Sequence, residues 1–294
     1  IWRNPDAFYA AGMYGQFIYV FPEFNAVVAA TAEVMDDDAK ESALIWKHIV
    51  PVLRKESGKD AAESLWEISG PHSIVWNVDP DEYGHHDHIE MSGERISVIY
   101  EYGVGVSGDF SLKRNVIWPL LRKRPNDTYG HTSMQFCQDF VSGITVDGKP
   151  LDAGRVENIC LDGRLRVTAM HGALEVSRSL FPSTEKAAVC EEYVLKNISG
   201  KAVSVKIPAQ RDEYVTDGNI GVDGAYRLVA RTSHSYDIET VLDPSEELCF
   251  HATVLGYKYP EVEEYIDVPH EEELRTAFAD GVCSSLVLDT PDQV

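Results

Sequence analysis

The chain has 294 residues, 44% hydrophobic and 25% charged, enough apolar material for one large core or two domains and too much for a disordered segment. Its 26 Lys and Arg against 48 Asp and Glu give a formal charge of -22, which repels phosphate backbones and anionic lipid headgroups and so argues against nucleic acid and membrane surfaces as partners. Neutral ligands such as sugars remain open, and the acidic surface has a sufficient bland role in keeping the protein soluble.

The first residues read as strands. Apolar residues alternate from Phe17 to Phe21, a turn follows at Pro22-Glu23-Phe24-Asn25, and the chain returns as the apolar run Ala26 to Ala32. That pattern predicts a hairpin whose second strand is buried on both faces. Asp36-Asp37-Asp38 then supplies a cap and favourable first-turn charge for a helix carrying Leu44, Ile45, His48, Ile49 and Val52, which Pro51 should bend or end. Charged residues from Arg54 to Glu63 read as an exposed linker, and the domain boundary is placed there.

From about Leu65 the pattern becomes strands separated by turn signals. Asp147-Gly148, Asp162-Gly163 and Asp223-Gly224 suit tight hairpins, and Asn197-Ile198-Ser199-Gly200 separates two apolar runs. Several such signals in succession predict a mainly β chain: a large antiparallel β-supersandwich preceded by a β-hairpin plus helix fragment. Helical periodicity returns only near Glu271 to Ala279 and at the end. The expected domains are therefore 1–55, a linker at 56–64, the sandwich at 65–280, and a further domain starting at 281–294. The chain begins at Ile1 without an initiator Met and stops at Val294 in what reads as the start of a helix, so it is expected to be a fragment joining the tail of one domain to the front of another.

Five cysteines, Cys137, Cys160, Cys190, Cys249 and Cys283, are scattered without a C-x-x-C spacing. Mostly buried free thiols are expected, with no disulfide framework, no metal site and no cofactor. No apolar run approaches membrane-span length and no signal peptide is visible, leaving the compartment open between cytoplasm and periplasm.

The stretch from Phe8 to Val34, with Ala11-Gly12-Met13-Tyr14-Gly15-Gln16, the strand IYVFPE and the strand AVVAAT, resembles the C-terminal strands and helix of β-lactamase-like serine hydrolases. The resemblance implies that Ala10 to Gly12 border an acyl pocket, with Gly15 and Gln16 just beyond. The family's nucleophile and base come from segments earlier in its chain. Here Ser42 and Ser57 are the nearest serines and neither is followed by Lys at the family's spacing, so neither has an activating base.

From Trp76 the chain resembles the N-terminal β-supersandwich of bacterial six-hairpin glycosidases. The strings that carry it are HHDHIEMSGERISVIYEYGV (85–104), NVIWPLLRKRPNDT (115–128) and LEVSRSLFPSTEKAAVCEEYVLKNIS (174–199). That family places two carboxylates in a following (α/α)6 barrel, which implies that the sandwich is non-catalytic, packs on a barrel outside these residues and meets a carbohydrate through the parent enzyme. A free-standing sugar-binding module and a serine-hydrolase remnant are the alternatives.

Two clusters are candidate binding groups. In a strand, alternation puts His86, His88 and Glu90 on one face and His85, Asp87 and Ile89 on the other, which makes a His-His-carboxylate metal site conceivable beside the usual solvated or locally hydrogen-bonded histidines, while the glycosidase resemblance implies a loop facing the sugar-binding cleft or the barrel. Trp118 with Arg122 and Asn126 combines an aromatic platform with donors, the combination that fits a sugar ring; the alternative is that Trp118 is core and the basic residues pair with the acidic surface. Glu271-Glu272-Glu273 and Asp289 to Asp292 are explained as helix N-terminal charge. Gly103 to Gly108 lacks a following Lys-Ser/Thr and is no phosphate loop.

Overall fold

The structure is a computed structural model that describes residues 7–12, 16–24, 26–30, 44–56, 65–70, 72–123 and 130–285. It divides into two compact units, Ile1–Ser64 and Leu65–Val294.

In the first unit β1 (Phe8–Gly12), β2 (Gln16–Phe21) and β3 (Ala26–Ala30) form an antiparallel sheet in that order. Alternation on β2 sends Phe17, Tyr19 and Phe21 to one face, where they pack with Ile45, Trp46, Val50 and Leu53. Trp46 meets Tyr19 and Phe21 edge-on. The second strand is not buried on both faces as expected: Val27 is 64% exposed, because among the described residues the helix covers one side of the sheet and nothing covers the other. Nor does Pro51 end the helix. A wide π turn at Ile45–Ile49, closed by the Val50 N–H on the Ile45 carbonyl, runs straight into α1 (Val50–Glu56). A π turn just before a proline accommodates the amide it lacks. Glu56 is thus helical, while residues 57–64, Ser42 and the Asp36 to Asp38 cap lie outside the described residues.

The second unit is mainly β and antiparallel throughout. Its first strands are β4 (Glu67–Ile68), β5 (Ile74–Asn77), β6 (His86–Ser92), β7 (Ser97–Val104), β8 (Phe110–Arg122) and β9 (His131–Phe136). Then come β10 (Thr145–Val146), β11 (Lys149–Pro150), β12 (Arg155–Leu161), β13 (Leu165–His171), β14 (Leu174–Pro182) and β15 (Ala188–Asn197). The last are β16 (Val203–Ile207), β17 (Arg211–Val215), β18 (Tyr226–Thr232), β19 (Ile238–Leu242) and β20 (Glu247–Lys258), followed by helix α2 (Val268–Ser284). Among the described residues they make a nine-stranded sheet (β17-β18-β20-β15-β14-β13-β12-β5-β4) and two four-stranded sheets, β6-β7-β8-β9 and β11-β10-β16-β19. Inward residues of all three, among them Tyr100, Val116, Val176, Leu195, Val205 and Val254, share one core.

The turns are of three kinds. Asp147 (φ 51°) and Gly148 (φ 74°) both take positive φ and close the two-residue β10–β11 hairpin, as the Asp-Gly signal predicts. Asp162-Gly163 sits in a three-residue link, whereas Asp223-Gly224 falls inside the long 216–225 connection and closes no tight hairpin. Asn197-Ile198-Ser199-Gly200 is a corner where the chain leaves the nine-stranded sheet for another. Asn197, fully buried, donates to the carbonyls of Lys201 and Leu242 and accepts from the Ser199 amide, so one side chain satisfies the groups that the break in strand pairing exposes.

The core also holds charge. Arg114 on β8 reaches Glu191 on β15 through a paired set of hydrogen bonds, one of them Nη2 to Oε2 at 2.7 Å, and donates to the Gln138 carbonyl at 2.6 Å. The Tyr193 hydroxyl donates to the same carboxylate. Burial alone would lower the Arg114 pKa, but the Glu191 carboxylate outweighs it and the net movement is upward, so the guanidinium stays charged.

Helix α2 lies on the outer face of the nine-stranded sheet, over Phe181, Ala188, Cys190, Val229 and Leu255. Asp267 caps it through the His270 amide, and Pro269 sits in its first turn. Glu271 accepts from Ser183 (2.6 Å) and Lys186 (3.2 Å), and Glu272 from Arg164 (2.7 Å) and Ser179 (2.9 Å), so these two carboxylates dock the helix. α2 runs through residue 280 without a break, and 286–294 lie outside the described residues. The cysteines are free but not mostly buried: Cys190 is enclosed and Cys160 half-buried, while Cys137, Cys249 and Cys283 are exposed, since the outer sheet faces and the helix end are open.

Candidate functional site

The β6-β7-β8-β9 sheet turns its outer face to solvent, and the approach to it is built by local chemistry. Asp79 caps a short turn through the Asp81 amide, while the Glu82 carboxylate accepts from the Asp79 amide (3.0 Å) and from Nε1 of the buried Trp76 (2.6 Å). Gly84 (φ 91°) then reverses the chain into β6. The alternation anticipated for this strand holds: His86, His88 and Glu90 are exposed, with Asp87, Ile89 and Met91 directed inward.

Register supplies the rest of the face. His86 lies opposite Gly103 and His88 opposite Glu101 on β7, and those residues in turn lie opposite Ser111 and Lys113 on β8. Gly103 is required, because a Cβ there would stand 2.6 Å from the His85 main-chain carbonyl oxygen. His86, His88, Glu101, Ser111, Lys113, Asn115 and Cys137 line a shallow concavity of about 840 Å³, with Glu90 outside its lining. Glu101 accepts from Asn115 Nδ2 at 2.7 Å and from Lys113 Nζ at 3.3 Å, and these bonds hold its carboxyl below the ordinary range. The face thus offers donors and acceptors with nearly balanced charge, while Tyr102, the aromatic residue among its lining, is only 2% exposed.

The other candidates fare differently. Trp118, the expected aromatic platform, is wholly buried; its Nε1 donates to the Ala187 carbonyl at 3.2 Å and its ring lies against Gly256. It sits on the inward-facing side of β8, so it presents no ring to a ligand. Arg122 closes β8, its main-chain carbonyl accepting from the Tyr226 hydroxyl (2.6 Å) and the Val222 amide. Asn126 and Gly15 lie outside the described residues, and Gly12 pairs with Gln16 at the end of the β1–β2 ladder. A metal at His86, His88 and Glu90 is not supported: among the described residues, ligand atoms gather instead at Glu192, Cys249 and His251.

Glu101, Ser111, Lys113 and Asn115 were absent from the sequence-based candidates. The available signal was polar residues alternating with apolar ones on β7 and β8; what makes them a site with His86 and His88 is cross-strand register, which the alternation does not encode.

No helix among the described residues is long and apolar enough to cross a membrane. No family model matches the chain, and no curated protein matches it. Among solved structures it is similar to one described as "Putative kojibiose phosphorylase from human microbiome", at 11% identity and a TM-score of 0.34, over 76% of this chain and 36% of that one.

Proposed function

We propose that residues 65–280 are the non-catalytic sandwich of a carbohydrate-active enzyme, whose bond-breaking carboxylates lie in a catalytic domain outside these residues, and that the outer face around His86, His88, Glu101, Lys113 and Asn115 is its polar, sugar-compatible surface. The resemblance of the 85–104, 115–128 and 174–199 strings to the sandwich of six-hairpin glycosidases motivates this reading. The observation that carries it is the polar outer face itself, where Asn115 and Lys113 hold the Glu101 carboxylate beside His86 and His88; the shifted carboxyls agree with it. Cleaving a glycoside takes one acid kept protonated beside one ionised carboxylate. Each described carboxyl whose pKa moves from its ordinary value, Glu101, Asp162, Glu192, Asp237 and Glu263, moves down, held ionised by Asn115, Arg, His or Lys donors or backbone amides. None of these is a proton donor at neutral pH.

The absence of an exposed Trp, Tyr or Phe ring among the described residues lining the concavity favours a supporting surface over a free-standing sugar-binding module, since stacking on such faces is a main source of affinity for sugar rings. Incubation of the chain with a panel of glycosides is expected to give no turnover, and calorimetry is expected to give binding no tighter than about millimolar. Turnover by this polypeptide alone would overturn the reading. Micromolar binding abolished by Asn115→Ala would favour the module.

A further inference from the structure

On the opposite side of the sandwich, the outer face of the nine-stranded sheet brings together three side chains that no sequence motif connects. Cys249 and His251 are two apart on β20 and so share a face, and His251 stands directly opposite Glu192 on β15. The Glu192 Oε2 lies 3.2 Å from His251 Nε2, and Cys249 Sγ lies 3.5 Å from the same nitrogen. All of the ligand atoms fall within 4.8 Å of one another. A tetrahedral zinc ion with ordinary bonds to sulfur, nitrogen and oxygen has an N···O edge of about 3.3 Å and an N···S edge of about 3.5 Å.

We propose that Glu192, Cys249 and His251 form a binding site for a divalent cation of the zinc class, with its remaining position open to the groove beside α2. A carboxylate, a thiolate and a neutral imidazole neutralise a dication, and the mixture of oxygen, sulfur and nitrogen suits zinc better than calcium or magnesium, which take oxygen ligands. Glu192 also lines a groove of about 530 Å³ with Arg164, Glu272, Thr276 and Asp280, which gives the ion an approach from solvent. Arg164, the cation in that groove, is paired at 2.7 Å with both Asp162 and Glu272.

The same trio invites a different reading, a cysteine nucleophile with its histidine base and orienting acid. Geometry argues against it. A relay needs one imidazole nitrogen on the thiol and the other on the carboxylate, whereas here a single nitrogen, Nε2, faces both. Convergence of three donors on one point is what a cation requires. Although Cys249 reaches the surface, partial burial of its thiol, then the Glu192 carboxylate, push it up to about 12, so it is no ready thiolate at neutral pH and a bound cation must displace its proton.

The test uses the full chain, stripped with a chelator and exchanged into chelator-free buffer. Zinc titrated against a chromophoric competitor should bind at one equivalent, and cobalt should produce a thiolate charge-transfer absorption. Cys249→Ser should abolish that absorption, and His251→Ala and Glu192→Gln should each weaken zinc by about tenfold or more. A chain carrying Cys137→Ser and Cys283→Ser should bind as the parent does, since those exposed thiols lie elsewhere. Folding of each variant is followed by its melting transition, and the isosteric Glu192→Gln keeps the test decisive if Cys249→Ser does not fold. Failure of the parent to bind micromolar zinc, or equal binding by the parent and by a folded Cys249→Ser or Glu192→Gln, would overturn the site.

Discussion

Replacing Arg114 by Met should be among the most damaging single changes in the second unit. The side chains of Arg114 and Glu191 are 1% and 0% exposed, so neither charge has water to fall back on. The substitution keeps most of the volume but leaves the Glu191 carboxylate buried with the Tyr193 hydroxyl as its remaining donor, and it frees the Gln138 carbonyl. Removing one partner of a buried ion pair costs about 3–5 kcal/mol, because the surviving ion keeps its desolvation penalty without its counter-charge. For a unit the size of Leu65–Val294 that corresponds to a fall of roughly 6–20 °C in melting temperature. Urea denaturation should show a lower midpoint at unchanged slope. The companion double variant, Arg114→Met with Glu191→Leu, removes both charges and should recover much of the loss. The reasoning is refuted if Arg114→Met costs less than about 1 kcal/mol, or if the double variant is as unstable as the sum of the singles, since either result means the charges are not electrostatically coupled in a dry core.

Two further outcomes follow from local geometry. At Gly256 an added Cβ would stand 2.5 Å from the Trp118 indole, so Gly256→Ala should destabilise by about 1–3 kcal/mol and shift Trp fluorescence; a neutral effect would mean that Trp118 is loosely held and not a fixed core residue. His171 is buried against Gly154, and burial lowers its pKa below 6.5, so the native protein keeps it neutral while the unfolded chain protonates. Stability from this group is therefore complete above about pH 7.5 and declines as pH falls below about 6.5, by up to about 1.4 kcal/mol per pH unit until the native pKa is reached. His171→Asn should flatten that part of the profile between pH 7.5 and 5.5, and parallel profiles for parent and variant would reject it.

Local pattern carried the parts of this fold that depend on one strand or one turn at a time. The side on which His86, His88 and Glu90 lie, the β10–β11 hairpin at Asp147-Gly148, and the helical site of Glu271 and Glu272 were all readable, because strand alternation, positive φ at Asp-Gly and N-terminal helix charge are short-range effects. Where a residue's meaning depended on what packs opposite, the reading failed or stayed open. Trp118 fits an exposed platform or a core equally well as a residue in a strand, and β3 reads as two-faced until a helix is seen to cover only one side.

The amino-acid order by itself determined a mainly β, acidic chain with antiparallel hairpins, since apolar alternation and turn chemistry act over a few residues. Tertiary structure alone decided which sheet each strand joined, that an arginine and a glutamate would meet in the core, and that Glu192, Cys249 and His251 would converge. Those outcomes rest on register and packing between residues far apart in the chain, where a shift of a single residue exchanges the inner face of a strand for the outer one.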